Sequence, residues 1–275
     1  MSRIEEAIRR ARVDRRNVLA NNATGKERRQ RNDDSTWRET SQPIDSEPLD
    51  AKVLPEHIVQ VDNKQLREHR VIAASEHDER VGAYRQLRTL ILKTMRDNKW
   101  MSLAITSADE GAGKTLTAAN LAISLSKDVN TTVLLVDLDL KKPSVHKILN
   151  LDPDKGLVDF LQGTAELEEI VYSPGIDRLA VLVGRSTGKY SSELLASPKM
   201  KELMRDLCQQ SATNITIFDL PPLLRNDDAI LFAPFADATL VVVEDGVTTE
   251  DGLERSLQLL SKANVIGTIL NKARI

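Results

Sequence analysis

Apolar positions change their pattern twice along this chain. From about residue 20 to 50 they almost vanish: NNATGKERRQRNDDSTWRETSQPIDSEPLD has no periodic hydrophobic face. A stretch that cannot bury apolar surface cannot offset its ordering entropy, so residues 21–69 are expected to be a disordered linker. Ahead of it, residues 1–20 put Ile4, Ala7, Ile8 and Ala11 on one helical face, which predicts a short amphipathic helix. Beyond residue 70 the pattern thickens. Val81, Tyr84, Leu87, Leu90, Ile91 and Met95 recur at three- and four-residue steps and predict an amphipathic helix leading into a core. After it, strand-like runs at 101–106, 131–139, 178–183, 214–220, 238–244 and 264–270 alternate with helical runs at 114–126, about 197–210 and 249–263. Several strands are apolar without alternation, as in a parallel sheet covered by helices on both faces. The expected fold over residues 70–275 is therefore a doubly wound, mostly parallel α/β domain.

Composition narrows the function more than the fold. A net charge of −3 and an aromatic content of 3% argue against a nucleic-acid binder, which needs basic and base-stacking surface. Cys208 stands alone and reads as a small buried hydrophobe, which fits a reducing cytoplasm. No apolar run approaches the ~20 residues that span a bilayer, and no signal-peptide core precedes residue 20, so membrane association is expected only through a partner. The tail to Arg31 carries ten Lys/Arg against four Asp/Glu. It reads either as a solvated tail or as a docking element for a partner or an anionic surface.

The candidate chemistry begins at SADEGAGKTLTAAN, where a strand gives way to a small-residue turn and then a helix. That context lets backbone N–H groups converge on phosphate oxygens at the positive end of a helix dipole. The expected nucleotide contacts are Glu110, Gly111, Ala112, Gly113, Lys114, Thr115 and Leu116. Lys114 would reach the β- and γ-phosphates, and the Thr115 hydroxyl would bind Mg²⁺. Ala108 stands where GxxxxGK[ST] has its first glycine, and taken alone the loop also fits a tight turn that caps a helix. VLLVDLDLKKP adds Asp137 and Asp139 at a strand's carboxyl end, facing the crevice where such sheets bind ligands. Two close carboxylates are costly to bury without a cation, and Mg²⁺ would supply one. ITIFDLPPLL adds Asp219, placed to order metal-bound water. Asn271, just after the last predicted strand, could hydrogen-bond adenine or be an ordinary turn residue.

Together these segments make residues 70–275 resemble the bacterial tyrosine autokinases, cytoplasmic P-loop ATPases of exopolysaccharide loci within the MinD/ParA-like superfamily. ITSADEGAGKTLTAANLA, LLVDLDLKKP and IFDLPPL match that family's three ATP motifs in order and spacing. YRQLRT, SSELLAS and LVVVEDGVTTEDGL also look like it, and MSRIEEAIRRA is similar to the start of exosortase-locus members. The resemblance implies ATP and Mg²⁺ as cofactors and catalytic roles for Lys114, Asp137 and Asp139. Asp137 would accept the hydroxyl proton, while Thr115, Asp139 and Asp219 would hold the metal and its water shell. It implies tyrosine-containing protein substrates, a cytoplasmic contact with a Wzz-like membrane polysaccharide co-polymerase, and homo-oligomers. Two departures stand out. Gly82 replaces the Glu of the family's ExxRxxR subunit-contact motif, although Arg85 and Arg88 are present. The family's C-terminal tyrosine cluster has no counterpart: the tyrosines are Tyr84, Tyr172 and Tyr190, with Tyr190 the most loop-like. The alternative is a non-kinase ATP switch of the ParA/MinD class. Against it, the signature Lys of that class is Asp109 here, and the sequence stops at NKARI with no closing amphipathic helix.

Overall fold

A computed structural model describes residues 57–273, apart from 76–77, 79, 187–189 and 209–213. The helix expected over residues 1–20, and the linker as far as residue 56, lie outside the described residues.

In chain order the fold opens with β1 (His57–Ile58), α1 (Asn63–Glu68), α2 (Val81–Asn98), β2 (Ser102–Ser107) and α3 (Lys114–Ser126). There follow β3 (Thr132–Asp137), α4 (Val145–Ile148), α5 (Leu157–Gln162), α6 (Leu167–Ile170), β4 (Val171–Ser173) and β5 (Leu179–Leu182). The chain then forms α7 (Ser191–Leu195), α8 (Pro198–Cys208), β6 (Asn214–Asp219), α9 (Asp228–Phe232), β7 (Ala238–Glu244), α10 (Glu250–Leu259) and β8 (Val265–Asn271). The eight strands make one sheet in the order β1-β4-β5-β3-β6-β2-β7-β8. Every neighbouring pair is parallel except β4 with β5.

The unbroken apolar runs are explained by burial on both faces. In β3, Val133 and Leu135 join the core beneath α2 and α3, whereas Leu134 and Val136 join the core beneath α5 to α9. Period-2 alternation survives as a choice between two cores, with no face left for water. The phosphate-loop helix α3 is buried at every position except Leu116, so it is rigidly seated. With β2, β3 and β6 side by side at the sheet's centre, Ser107, Asp137 and Asp219 emerge together at its carboxyl edge.

The folded unit starts earlier than residue 70. β1 pairs with β4 at the sheet edge, the His57 ring stacks on Tyr172 with centroids 4.6 Å apart, and Leu66 is buried beside α3. The composition hides this because α1 is polar apart from Leu66. A single side chain then ties the entering segment to the phosphate-loop helix. Asn120 Oδ1 accepts from the buried Ile72 and Ala73 N–H groups at 2.8 and 2.9 Å, and Asn120 Nδ2 donates to the carbonyls of Leu116 and Arg70. Truncating it would orphan two buried donors. Asn120→Ala should lower unfolding stability by about 2–4 kcal/mol in urea titration; a loss under about 1 kcal/mol would contradict this account of the segment.

Candidate active site

The loop between β2 and α3 has a backbone that only small residues permit. Gly111 and Gly113 adopt positive φ angles of 84° and 90°. A Cβ on Gly113 would strike the Asn271 side-chain amide, which would have to swing aside, and the left-handed φ strains any L residue there. No side chain caps α3 at Gly113, which leaves the first N–H groups of the helix for a ligand. Beneath the loop, Ala108 accepts a bond from Leu224 N–H and Thr106 Oγ1 donates to Pro221 O at 2.8 Å. The Asp219–Pro222 turn is thereby laced to the base of the loop.

Lys114, Thr115, Asp139 and Asp219 meet in one buried cluster. Lys114 Nζ lies 3.0 Å from Asp139 Oδ2 and 3.8 Å from Asp219 Oδ1. Thr115 Oγ1 donates to Asp219 Oδ2 at 2.6 Å and lies 3.2 Å from Ser144 Oγ. Asp137 sits behind them with no exposed surface. Its Oδ2 accepts from Ser144 and Val145 N–H at 2.9 and 3.0 Å, and its Oδ1 accepts from Asp139 N–H at 3.2 Å. Gly184 presses on it, with a virtual Cβ 3.0 Å from Asp137 Cγ.

Three carboxylates therefore surround one ammonium, and protonation shows the imbalance. Burial works against the Lys114 ammonium, but the charges of Asp219 and Asp139 outweigh it and raise its pKa. Burial, followed by the charge of Asp219, pushes Asp137 up to about 7. Burial likewise raises Asp219, against the opposing pull of Lys114 and Thr115. Asp219 Oδ1 is also buried without a hydrogen-bond partner. An orphaned carboxylate oxygen beside a threonine hydroxyl, in a cluster with surplus negative charge, fits a hard divalent cation. Among the described residues no group of three or more His, Cys, Asp or Glu forms a complete metal cage. Mg²⁺ keeps water and phosphate oxygens in its shell and needs few protein ligands.

The cluster opens into a cavity of about 820 Å³, lined by Glu110, Gly111, Gly113, Lys114, Thr115, Leu116 and Asp139 among others. Four expected site residues do not line the cavity itself. Asp137 and Asp219 lie behind the wall, and Asn271 does not line the cavity: its Nδ2 donates to Ala112 O at 2.8 Å, bracing the loop. Ala112 itself is buried under the loop. The sequence reading passed over Ser144, Gly184 and the Lys142–Glu110 ion pair of 2.7 Å that bridges the cavity's rim. Gly184, directly after a strand end, was the only one with a recognisable signal.

A pH dependence follows for the nucleotide-free protein. The folded-state pKa of Asp137, about 7, lies above its ordinary 3.8, so its contribution is present below about pH 4 and lost as pH rises through 7. Without Mg²⁺ or nucleotide the melting temperature should fall between about pH 5 and pH 8, and Asp137→Asn should flatten that slope. An equal slope in wild type and variant would contradict the assignment.

Comparison with known proteins agrees with this geometry. Residues 103–275 match the family model of the CobQ/CobB/MinD/ParA nucleotide binding domain. The chain is 34% identical over 194 residues to the tyrosine-protein kinase YwqD of Bacillus subtilis, covering 70% of this chain and 81% of the relative. It is 31% identical to the putative tyrosine-protein kinase EpsB of Ralstonia solanacearum, where 68% of this chain matches only 25% of a longer protein. The kinase domain of the Escherichia coli tyrosine kinase ETK superposes with a TM-score of 0.68 at 25% identity, covering 80% of this chain and 89% of that domain. The chain belongs to the CobQ/CobB/MinD/ParA nucleotide-binding family and, within it, to the bacterial tyrosine kinases.

Proposed function

We propose that this protein binds Mg-ATP at the loop of residues 110–116 and transfers the γ-phosphoryl group to tyrosines of proteins. The observation that carries the reading is the convergence of Lys114, Thr115, Asp139 and Asp219 at the mouth of an uncapped helix. In this reading the loop amides and Lys114 bind the β- and γ-phosphates. Thr115 and Asp219, with Asp139, would hold Mg²⁺, whose charge would offset that of the phosphates. Phosphoryl transfer asks little covalent chemistry of the protein, so positioning and charge supply most of the effect. Asp137 is the proposed base, and a pKa near 7 suits that task. Its carboxylate accepts three backbone N–H bonds, which leaves a lone-pair site on Oδ1 for a phenolic proton.

The tyrosines differ sharply in access. Tyr172 is buried under His57 and Tyr84 is half-buried on α2, whereas Tyr190 is 65% exposed at the start of α7. Autophosphorylation should therefore favour Tyr190, with other proteins as further acceptors. While one Asn271 N–H holds Ala112 O, the second N–H and Oδ1 remain for the proposed adenine contact. Homo-oligomers remain part of the proposal, but not through an unmodified ExxRxxR face: Gly82 is exposed and Arg88 already donates to Ser124 O at 3.1 Å.

The wider setting proposed is exopolysaccharide assembly on the cytoplasmic side of the inner membrane, with a Wzz-like co-polymerase as partner. No helix among the described residues is long and apolar enough to cross a membrane, and longer relatives such as EpsB carry much sequence beyond the matched region. Partner-dependent recruitment accommodates both facts. A second reading, an ATP switch without kinase activity, draws support from the burial of Asp137 and its three bonds from backbone N–H groups. Phosphosite mapping after incubation with Mg-ATP separates the two. The kinase reading predicts phosphotyrosine, at Tyr190 or on co-expressed proteins, that falls at least about tenfold in Asp137→Ala and is lost in Lys114→Met. ATP hydrolysis without any Asp137-dependent phosphotyrosine would leave the switch reading.

A further inference from the structure

Asp228 is fully buried, carries no role in the site above, and among the described residues its carboxylate hydrogen-bonds to two neutral side chains. Its Oδ1 accepts from Ser192 Oγ at 2.5 Å and its Oδ2 accepts from Asn226 Nδ2 at 2.9 Å. Asn226 in turn offers its Oδ1 to the Lys141 ammonium at 2.8 Å, and to the Asp228 N–H at 3.2 Å. The carboxylate thus determines which way the amide faces: its NH₂ must point at Asp228, so its oxygen must point at Lys141. The result is a chain from α7, through the start of α9, to a lysine two residues beyond Asp139.

Lys141 lines the nucleotide cavity together with Lys114, Thr115 and Asp139. Three other cations on that wall are ion-paired among the described residues, and Lys147, also on it, has no such hydrogen-bonded anchor. Lys114 is paired with Asp139, Lys142 with Glu110 and Arg185 with Asp159. Lys141, exposed at the rim, has no ion pair among the described residues and is held by a neutral amide, so its charge stays available to an incoming anion. An anchored but uncompensated ammonium at a phosphate cavity is a preorganised site for transition-state charge.

We infer that Lys141 contacts the transferring phosphoryl group, and that Asn226 and Asp228 are positioning residues that hold its ammonium there. The inference rests on the phosphotransfer reading above. In the step concerned, the bond from the γ-phosphorus to ADP oxygen breaks with its electron pair leaving on ADP. The acceptor oxygen forms the new bond to phosphorus and its proton passes to a base. Lys141 exchanges no atom and stabilises the equatorial oxygens.

The test is a mutant cycle on the full chain, with ADP affinity, ATP hydrolysis, phosphotyrosine formation and melting temperature measured for each variant. Lys141→Met should lower kcat for transfer at least about tenfold while ADP affinity stays within about threefold, and Lys141→Arg should recover much of the loss. Asp228→Asn and Asn226→Ala should each lower kcat in the same direction by a smaller factor. Because they act through Lys141, neither should lower it further in the Lys141→Met background. Asn226→Ala, outside the fully buried carboxylate, keeps the test decisive if Asp228→Asn unfolds. Wild-type kcat in Lys141→Met, or Asp228 and Asn226 effects that persist undiminished beside it, would overturn the inference. If wild type hydrolyses ATP without forming phosphotyrosine, the kinase reading fails, and the Lys141 dependence of hydrolysis still decides this one. A wild type that turns over no ATP overturns both.

Discussion

Lys114 holds together a cluster that would otherwise repel itself. Asp137, Asp139 and Asp219 reach the same small volume because β3 and β6 lie side by side and end level with each other. One ammonium and one hydroxyl offset only part of that charge, which is why burial leaves Asp137 and Asp219 with raised pKa values. Surplus carboxylate charge of this kind suits cations that arrive with a ligand. The cluster's strain in their absence and its readiness to bind them are the same electrostatic fact.

The remaining architecture keeps this arrangement rigid. α3 cannot shift without disturbing both the sheet and the entering segment, since it is almost wholly buried and Asn120 ties it to residues 70–73. Asn271 braces the loop from β8, and the Asp219–Pro222 turn braces it from β6. A loop held from three sides keeps its N–H groups aimed before any phosphate arrives, which lowers the ordering cost of binding.

Much of this was legible in the sequence, and the reasons are local. Six strands came from apolar runs, because a parallel sheet between helices buries both faces of each strand. The two strands that escaped, β1 and β4, have two and three residues, too few to show a period. The fold's start was misplaced at residue 70 because α1 contributes a single buried apolar side chain, Leu66. In the site, motif spacing singled out Lys114, Thr115 and the aspartates, which the strand ends bring together. Spacing could not reveal that Asp137 accepts bonds from backbone donors, or that Asn271 supports the loop instead of lining the cavity. Both are contacts between segments far apart in the chain, and neither leaves a mark in local sequence.

If the surplus carboxylate charge exists to receive a metal with the nucleotide, then Mg²⁺ and ADP must bind cooperatively, and Asp219 must carry much of that coupling. Calorimetric titration of ADP with and without Mg²⁺, in wild type and Asp219→Asn, measures it directly. The account predicts that Mg²⁺ tightens ADP binding at least about tenfold in wild type, a coupling of about 1.4 kcal/mol or more, and far less in the variant. Equal ADP affinity with and without Mg²⁺ in wild type would contradict it.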